Sequence, residues 1–188
     1  MRIVIADAGP LIGMARIQHV HLLHHLFTTI WITEVIAAEI GLCATDPAPH
    51  EFPGSRLLQE ARDRGWLRIA HNQFGEEDGD SGYIPLNPGV DPGEASAIAH
   101  ARAQTAAGRS VLLLIDDRCG RAEARRQGLN MLGTAAVLVL AKEHGLVASC
   151  APLLEQLRAN GYYLSDNLVA AVLEQAGEAD SAAPEQQS

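Results

Sequence analysis

Five short apolar runs alternate along this chain with longer segments in which apolar residues recur every three or four positions, as on one face of a helix. The runs have the length and β-branched content of buried strands, and they cover residues 3–6, 30–32, 66–70, 110–115 and 129–132. Helical spacing predicts helices at 11–27 with a break near 18–19, at 34–41, 54–64 and 95–107, after 117, and at 135–143, 152–160 and 166–177. This alternation predicts an α/β fold with three α/β/α layers and a central, mainly parallel five-stranded sheet.

The length of 188 residues fits a single domain, which could bury roughly 70% of the surface of its unfolded chain. We expect this domain to cover residues 1–177. Within it, residues 72–92 are rich in glycine and acid and predict an irregular surface loop. Residues 178–188 are polar and predict a disordered C-terminal tail.

The amino-acid composition indicates the cellular compartment and argues against some classes of protein. The three cysteines, Cys43, Cys119 and Cys150, are too few and too scattered for a disulfide framework, which favours a reducing compartment. The sequence has no signal-peptide pattern and no run near the ~20 apolar residues of a membrane span, so we expect a cytoplasmic protein. A net charge of −9 argues against binding nucleic acid by bulk electrostatics. An acidic protein can still cut nucleic acid if its carboxylates hold a divalent cation.

Four histidines, His19, His21, His24 and His25, fall close together in the first helical segment. Such a cluster raises the possibility of a metal site, but no cysteine or acidic residue accompanies it. Solvated or partly buried helix positions are the commoner role, and we assign these histidines no function from sequence.

Carboxylates follow two of the predicted strands directly. Asp7 ends the first strand and precedes Gly9-Pro10, so it either caps a helix or lies where parallel α/β sheets bind their ligands. Asp116 and Asp117 end the fourth strand in the same way, although a helix cap requires only one of them. The repetition favours a functional role at this edge of the sheet.

Two glutamates can reach the same edge from neighbouring helices. Glu39 lies late in its helix, where helix-dipole stabilisation does not explain it, whereas Glu94 is either a first-turn acid or a site residue. Together with the aspartates they would repel one another, so the cluster predicts a bound hard cation, Mg²⁺ or Mn²⁺. Such a site supports hydrolysis of phosphate esters. Arg118, Arg121 and Thr134 follow the fourth and fifth strands and are candidates to contact substrate phosphates.

Several stretches of the chain resemble PIN-domain proteins, the fold of VapC-type toxin ribonucleases, and most closely a PIN subgroup known mainly from genomes. The matching stretches include Asp-Ala-Gly-Pro-Leu-Ile at 7–12, Glu-Val through Glu-Ile at 34–40, Gly-Glu through Ala-Ile at 93–98, Leu-Ile-Asp-Asp-Arg at 114–118, and Gly-Leu through Leu-Gly-Thr at 128–134. Further similar stretches lie at 141–146 and 153–177, so the resemblance covers nearly the whole chain.

The resemblance implies roles for individual residues. It places the four acids of the family at Asp7, Glu39, Glu94 and Asp117, as catalytic residues and metal ligands. Asp116 stands where the commoner toxins have a variable residue and is a further candidate ligand. Two features depart from the family pattern: the loop at 72–92 is longer than usual, and the third acid is Glu instead of Asp.

The resemblance further implies a Mg²⁺- or Mn²⁺-dependent endoribonuclease, the toxin of a toxin–antitoxin pair, with RNA as substrate, an antitoxin protein as partner and a homodimeric state. Apolar residues near 22–27 also favour a dimer. One alternative is a PIN-fold binding or regulatory module that does not cut. A second is a doubly wound phosphatase with Asp7 as nucleophile, but Gly9 stands where such an enzyme has a second Asp.

Overall fold

The computed structural model describes residues 2–42, 52–70 and 83–179. It divides into two compact units, Met1–Thr134 and Ala135–Ser188. The first unit contains β1 (Ile3–Ala6), α1 (Ala8–Arg16), α2 (Val20–Phe27), β2 (Ile30–Thr33), α3 (Glu34–Glu39), α4 (Ser55–Asp63), β3 (Leu67–Ala70), α5 (Pro92–Ala106), β4 (Val111–Leu114), α6 (Arg118–Arg126) and β5 (Met131–Leu132). The helix α7 (Thr134–Glu143) crosses into the second unit, which also contains α8 (Ala151–Ala159) and α9 (Asp166–Gln175).

The five described strands form one sheet in the order β3-β2-β1-β4-β5. Every neighbouring pair is parallel, which confirms the predicted α/β fold and makes the sheet parallel throughout. β1 is central and buried, and it pairs with β4 along its whole length, from Ile3 with Val111 to Ala6 with Leu114. The Asp7 amide continues this pairing by donating to the Leu114 carbonyl at 2.9 Å. The carboxyl ends of β1 and β4 therefore lie side by side.

Helix boundaries mostly follow the apolar spacing. The predicted segment 11–27 is two helices, α1 and α2, because the chain turns at Gln18, whose φ of 62° is left-handed. The helix predicted from residue 95 begins earlier, at Pro92, because Asp91 caps it and proline suits a first turn. In the described parts of the chain, no helix is both long enough and apolar enough to cross a membrane.

A buried glutamate near the C-terminal end of the second unit forms several hydrogen bonds within that unit. Glu178 is 8% exposed and lies at the N-terminal end of α8, where it accepts hydrogen bonds from the Cys150 amide at 2.7 Å and the Ala151 amide at 3.0 Å. Its carboxylate also accepts from the Ser149 hydroxyl at 2.6 Å and from Lys142 Nζ at 2.7 Å. The first residue of the predicted tail is thus bound firmly, whereas residues 180–188 of that tail lie outside the described residues.

Most of the predicted acidic loop is likewise outside the described residues, which resume at Tyr83. The Tyr83 hydroxyl donates to Glu123 on α6, and the Arg102 guanidinium lies 4.7 Å from the centre of the Tyr83 ring. Glu123, 2% exposed, also binds Arg126 and Gln127. This contact holds the segment that leads into Asp91 against α5 and α6.

Candidate active site

Asp7 stands at the junction of β1 and α1. The apolar strand ends at Ala6, and the Asp7 side chain caps α1 by accepting a hydrogen bond from the Gly9 amide at 3.4 Å. The side chain is only 7% exposed. Burial raises the pKa of Asp7 to about 7; the amides of Ala8 and Gly9 partly oppose this rise, and the negative charges of Asp91 and Glu39 add to it. Asp7 is therefore a buried carboxyl group among other acids.

Three carboxylates surround the backbone of Gly93. A β-carbon at this position would lie 2.7 Å from Glu39 Oε2, 3.2 Å from Asp91 Oδ1 and 3.7 Å from Asp7 Oδ1. The absence of a side chain at Gly93 leaves the space between these oxygens open. Burial and the charge of Asp91 raise the pKa of Glu39, although this residue lies at the exposed end of α3. Glycine at the start of α5 thus lets three acids approach one point.

A chain of hydroxyl groups links α3 to the start of α5. Thr33 caps α3 by accepting from the Ile36 amide at 3.3 Å, and its hydroxyl lies 2.6 Å from that of Ser96. Ser96 donates its own proton to the Gly93 carbonyl at 2.7 Å, so Thr33 is the donor to Ser96. This link fixes α3, and with it Glu39, beside Gly93.

Glu94 lies in the first turn of α5 and is 3% exposed. It forms a capping box with Asp91: the Glu94 amide donates to Asp91 Oδ1 at 2.8 Å, and the Asp91 amide donates to Glu94 Oε2 at 3.2 Å. Burial raises the pKa of Glu94 to about 8; the Asp91 amide opposes the rise, and the charges of Asp91, Asp117 and Asp7 add to it. The structure thus confirms the structural interpretation of Glu94, as part of the cap of α5, and also places its carboxyl group among other acids.

Gly120 on α6 provides the space for the Glu94 carboxyl group. A β-carbon on Gly120 would lie 2.9 Å from Glu94 Cδ and 2.6 Å from Ile115 Cδ1. Any larger residue here would displace the side chain of Glu94 or that of Ile115.

The two aspartates after β4 have different partners. Asp117 is exposed and caps α6, with Oδ1 accepting from the amides of Cys119 at 2.6 Å and Gly120 at 3.2 Å. Asp116 instead accepts from Thr134 through both oxygens, at 2.8 Å from the amide and 2.6 Å from the hydroxyl. Of these two aspartates, Asp117 is the one whose charge adds to the rise in the pKa of Glu94. Asp116 fastens the fourth strand to the start of α7.

The three candidate phosphate contacts lie in different environments. Thr134 is fully buried, and its hydroxyl is bound to Asp116. Arg121 is half-buried and donates to the Ile115 carbonyl at 3.0 Å. Arg118 is exposed at the first position of α6, next to Asp117. Of the three, Arg118 alone combines exposure with a position next to one of the acids.

Sequence reasoning missed Asp91. Asp91 caps α5, and its position just before the predicted helix gives no sign that it lies beside Asp7 and Glu39. The available signal was the glycine two residues later, because glycine early in a helix often marks a close approach. We name the carboxylates of Asp7, Glu39, Asp91, Glu94 and Asp117 the acidic cluster.

The acidic cluster suits a hard divalent cation by its chemistry. Its donors are oxygens only, which favours Mg²⁺ or Mn²⁺ over zinc. Asp7, Glu39 and Asp91 already face the open space at Gly93, and a cation there would offset the repulsion that raises the pKa values of Asp7 and Glu39. Within the described residues, no three acidic, histidine or cysteine side chains already converge as a set of metal ligands. Binding would therefore require small side-chain movements. Glu39 and Asp117 can make such movements because they are exposed.

Comparison with known proteins identifies the family of this chain. No curated protein and no solved structure matches the chain. The sequence model of a PIN-domain family matches residues 3–178, which is nearly the whole chain. The chain therefore belongs to the PIN-domain family, whose members are generally nucleases.

Proposed function

We propose that this protein is a Mg²⁺- or Mn²⁺-dependent endoribonuclease whose active site is the acidic cluster. The observation that carries the proposal is the approach of Asp7, Glu39 and Asp91 to one point beside the buried Gly93. Burial and the charges of neighbouring acids raise the pKa values of Asp7, Glu39 and Glu94, which costs stability, so a protein retains such groups where they bind a cation or react. Membership of the PIN-domain family, whose members are generally nucleases, supports the proposal of a nuclease role for that cluster.

Each acid has a role that follows from its position. A divalent cation would neutralise the scissile phosphate and activate a water molecule. Asp7 and Asp117, at the ends of neighbouring strands, would bind the cation directly, while Glu39, Glu94 and Asp91 would bind it directly or through water. Asp116 would act indirectly, by holding the end of β4 to Thr134. Arg118 would contact a phosphate of the RNA at the first turn of α6.

The cellular role proposed here rests on the resemblance to VapC-type toxins. We infer a cytoplasmic homodimer that is the toxin of a toxin–antitoxin pair and is inhibited by a bound antitoxin protein. The family match spans residues of both compact units, which supports treating them as one PIN domain. A monomer mass in light scattering at micromolar concentration would contradict the dimer.

Cleavage of RNA with and without cation tests the proposal. We expect wild type to cut single-stranded RNA in Mn²⁺ or Mg²⁺ and to stop in EDTA. Glu94→Gln and Asp117→Asn should each lower the rate by about 100-fold, because each replaces an anionic oxygen by a neutral amide. Rates would be measured on labelled RNA by gel electrophoresis.

A matched control lies on α3. Glu34→Gln changes an exposed first-turn acid on the helix that carries Glu39, and we expect it to cut within about twofold of wild type. Cleavage that continues in EDTA, or that survives in both active-site variants, would exclude the proposed mechanism. RNA binding without cleavage in any cation would favour the alternative of a binding module.

Gly93→Ala is expected to impair cation binding with little loss of stability. The new methyl group would lie 2.7 Å from Glu39 Oε2, the mobile end of an exposed side chain, so Glu39 moves away at small cost. Alanine also favours a helix by about 0.5–1 kcal/mol, which offsets the remaining strain. We expect about 10-fold weaker Mn²⁺ binding in isothermal titration calorimetry.

The double variant tests the cause of that loss. If Gly93→Ala acts by displacing Glu39, then Gly93→Ala with Glu39→Gln should bind Mn²⁺ no more weakly than Glu39→Gln alone. Fully additive losses would show that the methyl group acts on the site by another route. An unchanged affinity in Gly93→Ala would place the cation away from this space.

A further inference from the structure

The outer side of α6 carries a group of arginines. The nine residues of this helix include four arginines and one acid, Glu123, which is 2% exposed and so places no negative charge on the outer side. Arg118 and Arg125 are exposed, and Arg121 is half-buried. Spacings of three and four residues bring these three side chains to the same side of the helix. We name Arg118, Arg121 and Arg125 the arginine face.

The arginine face keeps its positive charge. The fourth arginine of α6, Arg126, is paired with Glu123, whereas no ion pair between described residues involves the arginine face. Arg121 Nη1 donates to the Ile115 carbonyl at 3.0 Å, which uses one of the five N–H donors of a guanidinium and neutralises no charge. The face can therefore attract an anion.

Helix stability explains only one end of the arginine face. Arg125 lies in the last turn of α6, where the helix dipole favours a cation. Arg118 is the first residue of the helix, where the dipole disfavours a cation, and the first turn contains no acid. Asp117 offsets part of this cost as the helix cap. A positive charge at the start of α6 thus calls for an explanation other than helix stability.

The arginine face also has the opposite sign to the chain as a whole. The net charge of −9 and the acidic cluster both repel a polyanion such as RNA. Arg118 directly follows Asp117, so the face begins beside the acidic cluster. Arg125 is seven residues further along α6, about 10 Å along the helix axis. A cationic surface therefore extends away from the acids along one helix.

We propose that the arginine face binds the phosphate backbone of single-stranded RNA and holds the strand so that it reaches the acidic cluster. This inference rests on the proposed nuclease function and extends it from one phosphate contact to a path of three. A guanidinium pairs with a phosphate through two parallel hydrogen bonds, and such contacts fix the position of a strand without reading its sequence. An acidic protein segment could also pair with arginine. The position favours RNA, because the face begins where the proposed reaction needs a phosphodiester.

The salt dependence of RNA binding tests the inference. Anisotropy of a fluorescently labelled single-stranded RNA would be measured with the full chain in EDTA, which stops the proposed cleavage, at several KCl concentrations. Each phosphate contact on a single strand adds about −0.7 to the slope of log K against log salt concentration. We expect a slope of about −2 or steeper for wild type. Arg125→Gln should reduce the steepness by about 0.7 and, at 0.1 M salt, weaken binding by about 5-fold.

Three further measurements separate a phosphate contact from other effects. Arg56→Gln, the matched control, makes the same change of charge at an exposed position on α4 and should bind within about twofold of wild type. Arg125→Lys should keep the wild-type slope, because lysine contacts a phosphate as a point charge. The loss in Arg125→Gln should be equal for two RNAs of different sequence, because a phosphate contact carries no sequence information.

Several outcomes would overturn the proposal. Equal losses in Arg125→Gln and Arg56→Gln would show an effect of net charge alone. An unchanged affinity and slope in the double variant Arg118→Gln with Arg125→Gln would exclude RNA and leave an acidic protein segment as the partner of the face. Failure of wild type to bind RNA would also contradict it. Because binding in EDTA involves no cleavage, failure of this inference is distinguishable from failure of the nuclease proposal.

Discussion

Asp7→Asn is expected to lower the rate of RNA cleavage by about 100- to 1,000-fold, which corresponds to roughly 3–4 kcal/mol of transition-state stabilisation. The substitution replaces a buried anionic ligand by a neutral group of the same shape. Asparagine is as good a helix cap as aspartate, so α1 should keep its cap at Gly9 and the fold should persist. The measurement is single-turnover cleavage of labelled RNA in Mn²⁺.

The same variant should be more stable than wild type when no cation is present. The pKa of Asp7 rises from 3.8 to about 7 in the fold, so its contribution to stability is complete below about pH 4 and is lost as the pH rises through 7. At pH 8 the variant should gain about 2 kcal/mol, or roughly 4–8 °C in melting temperature. At pH 4 this gain should vanish, because the wild-type carboxyl group is already protonated.

Added Mn²⁺ should remove most of this difference in stability at pH 8. A cation at ten times its dissociation constant adds about 1.4 kcal/mol to wild type by mass action, equal to roughly 3–6 °C. Asp7→Asn should gain little. The measurement is a set of thermal melts of wild type and Asp7→Asn, each with EDTA and with Mn²⁺, at pH 4 and at pH 8. Equal shifts in wild type and variant would place the cation elsewhere.

Glu178→Gln is expected to destabilise the second unit by about 3 kcal/mol, or roughly 6–12 °C in melting temperature. Glu178 accepts from the Cys150 and Ala151 amides, Ser149 and Lys142, whereas the amide nitrogen of glutamine can only donate. Lys142 would also lose its carboxylate partner. The exposed Glu174→Gln on α9 is the matched control and should melt near wild type.

The pH dependence of this loss identifies its cause. Burial alone would raise the pKa of Glu178, but the hydrogen bonds from Lys142, Ser149 and the two amides outweigh it and lower the pKa to about 2. The stabilising contribution is therefore complete above about pH 4.5 and lost as the pH falls through 2. The gap between wild type and Glu178→Gln should narrow below pH 4.5. A gap independent of pH down to 2 would show that shape, not charge, matters here.

The sequence could predict the sheet edge because the signal there is local. An apolar run that ends in Asp7 and another that ends in Asp116-Asp117 both indicate strands, and parallel strands bring such ends together. The break in the first helical segment at Gln18 was equally visible, because polar residues interrupt the apolar spacing there. These features depend on neighbouring residues alone.

Features that depend on distant contacts could not be predicted. Nothing near Asp116 indicates that both of its oxygens bind Thr134, and nothing near Gly120 indicates that it makes room for Glu94. Asp91 has a local role as the cap of α5, and that role gives no indication that its carboxylate lies near Glu39. The positions of other helices and strands are needed to assign different roles to the adjacent Asp116 and Asp117. They are also needed to see that Asp91 both caps a helix and lies beside other acids.

The central position of β1 also determines when this protein can fold during its synthesis. β1 is made well before its partner β4, since Ile3 pairs with Val111, which lies far along the chain. Joining strands so distant in sequence closes a long loop and is slow. Asp7 and Asp117 therefore meet only after β4 has left the ribosome. Until then a translating ribosome carries a nascent chain whose acids are still apart.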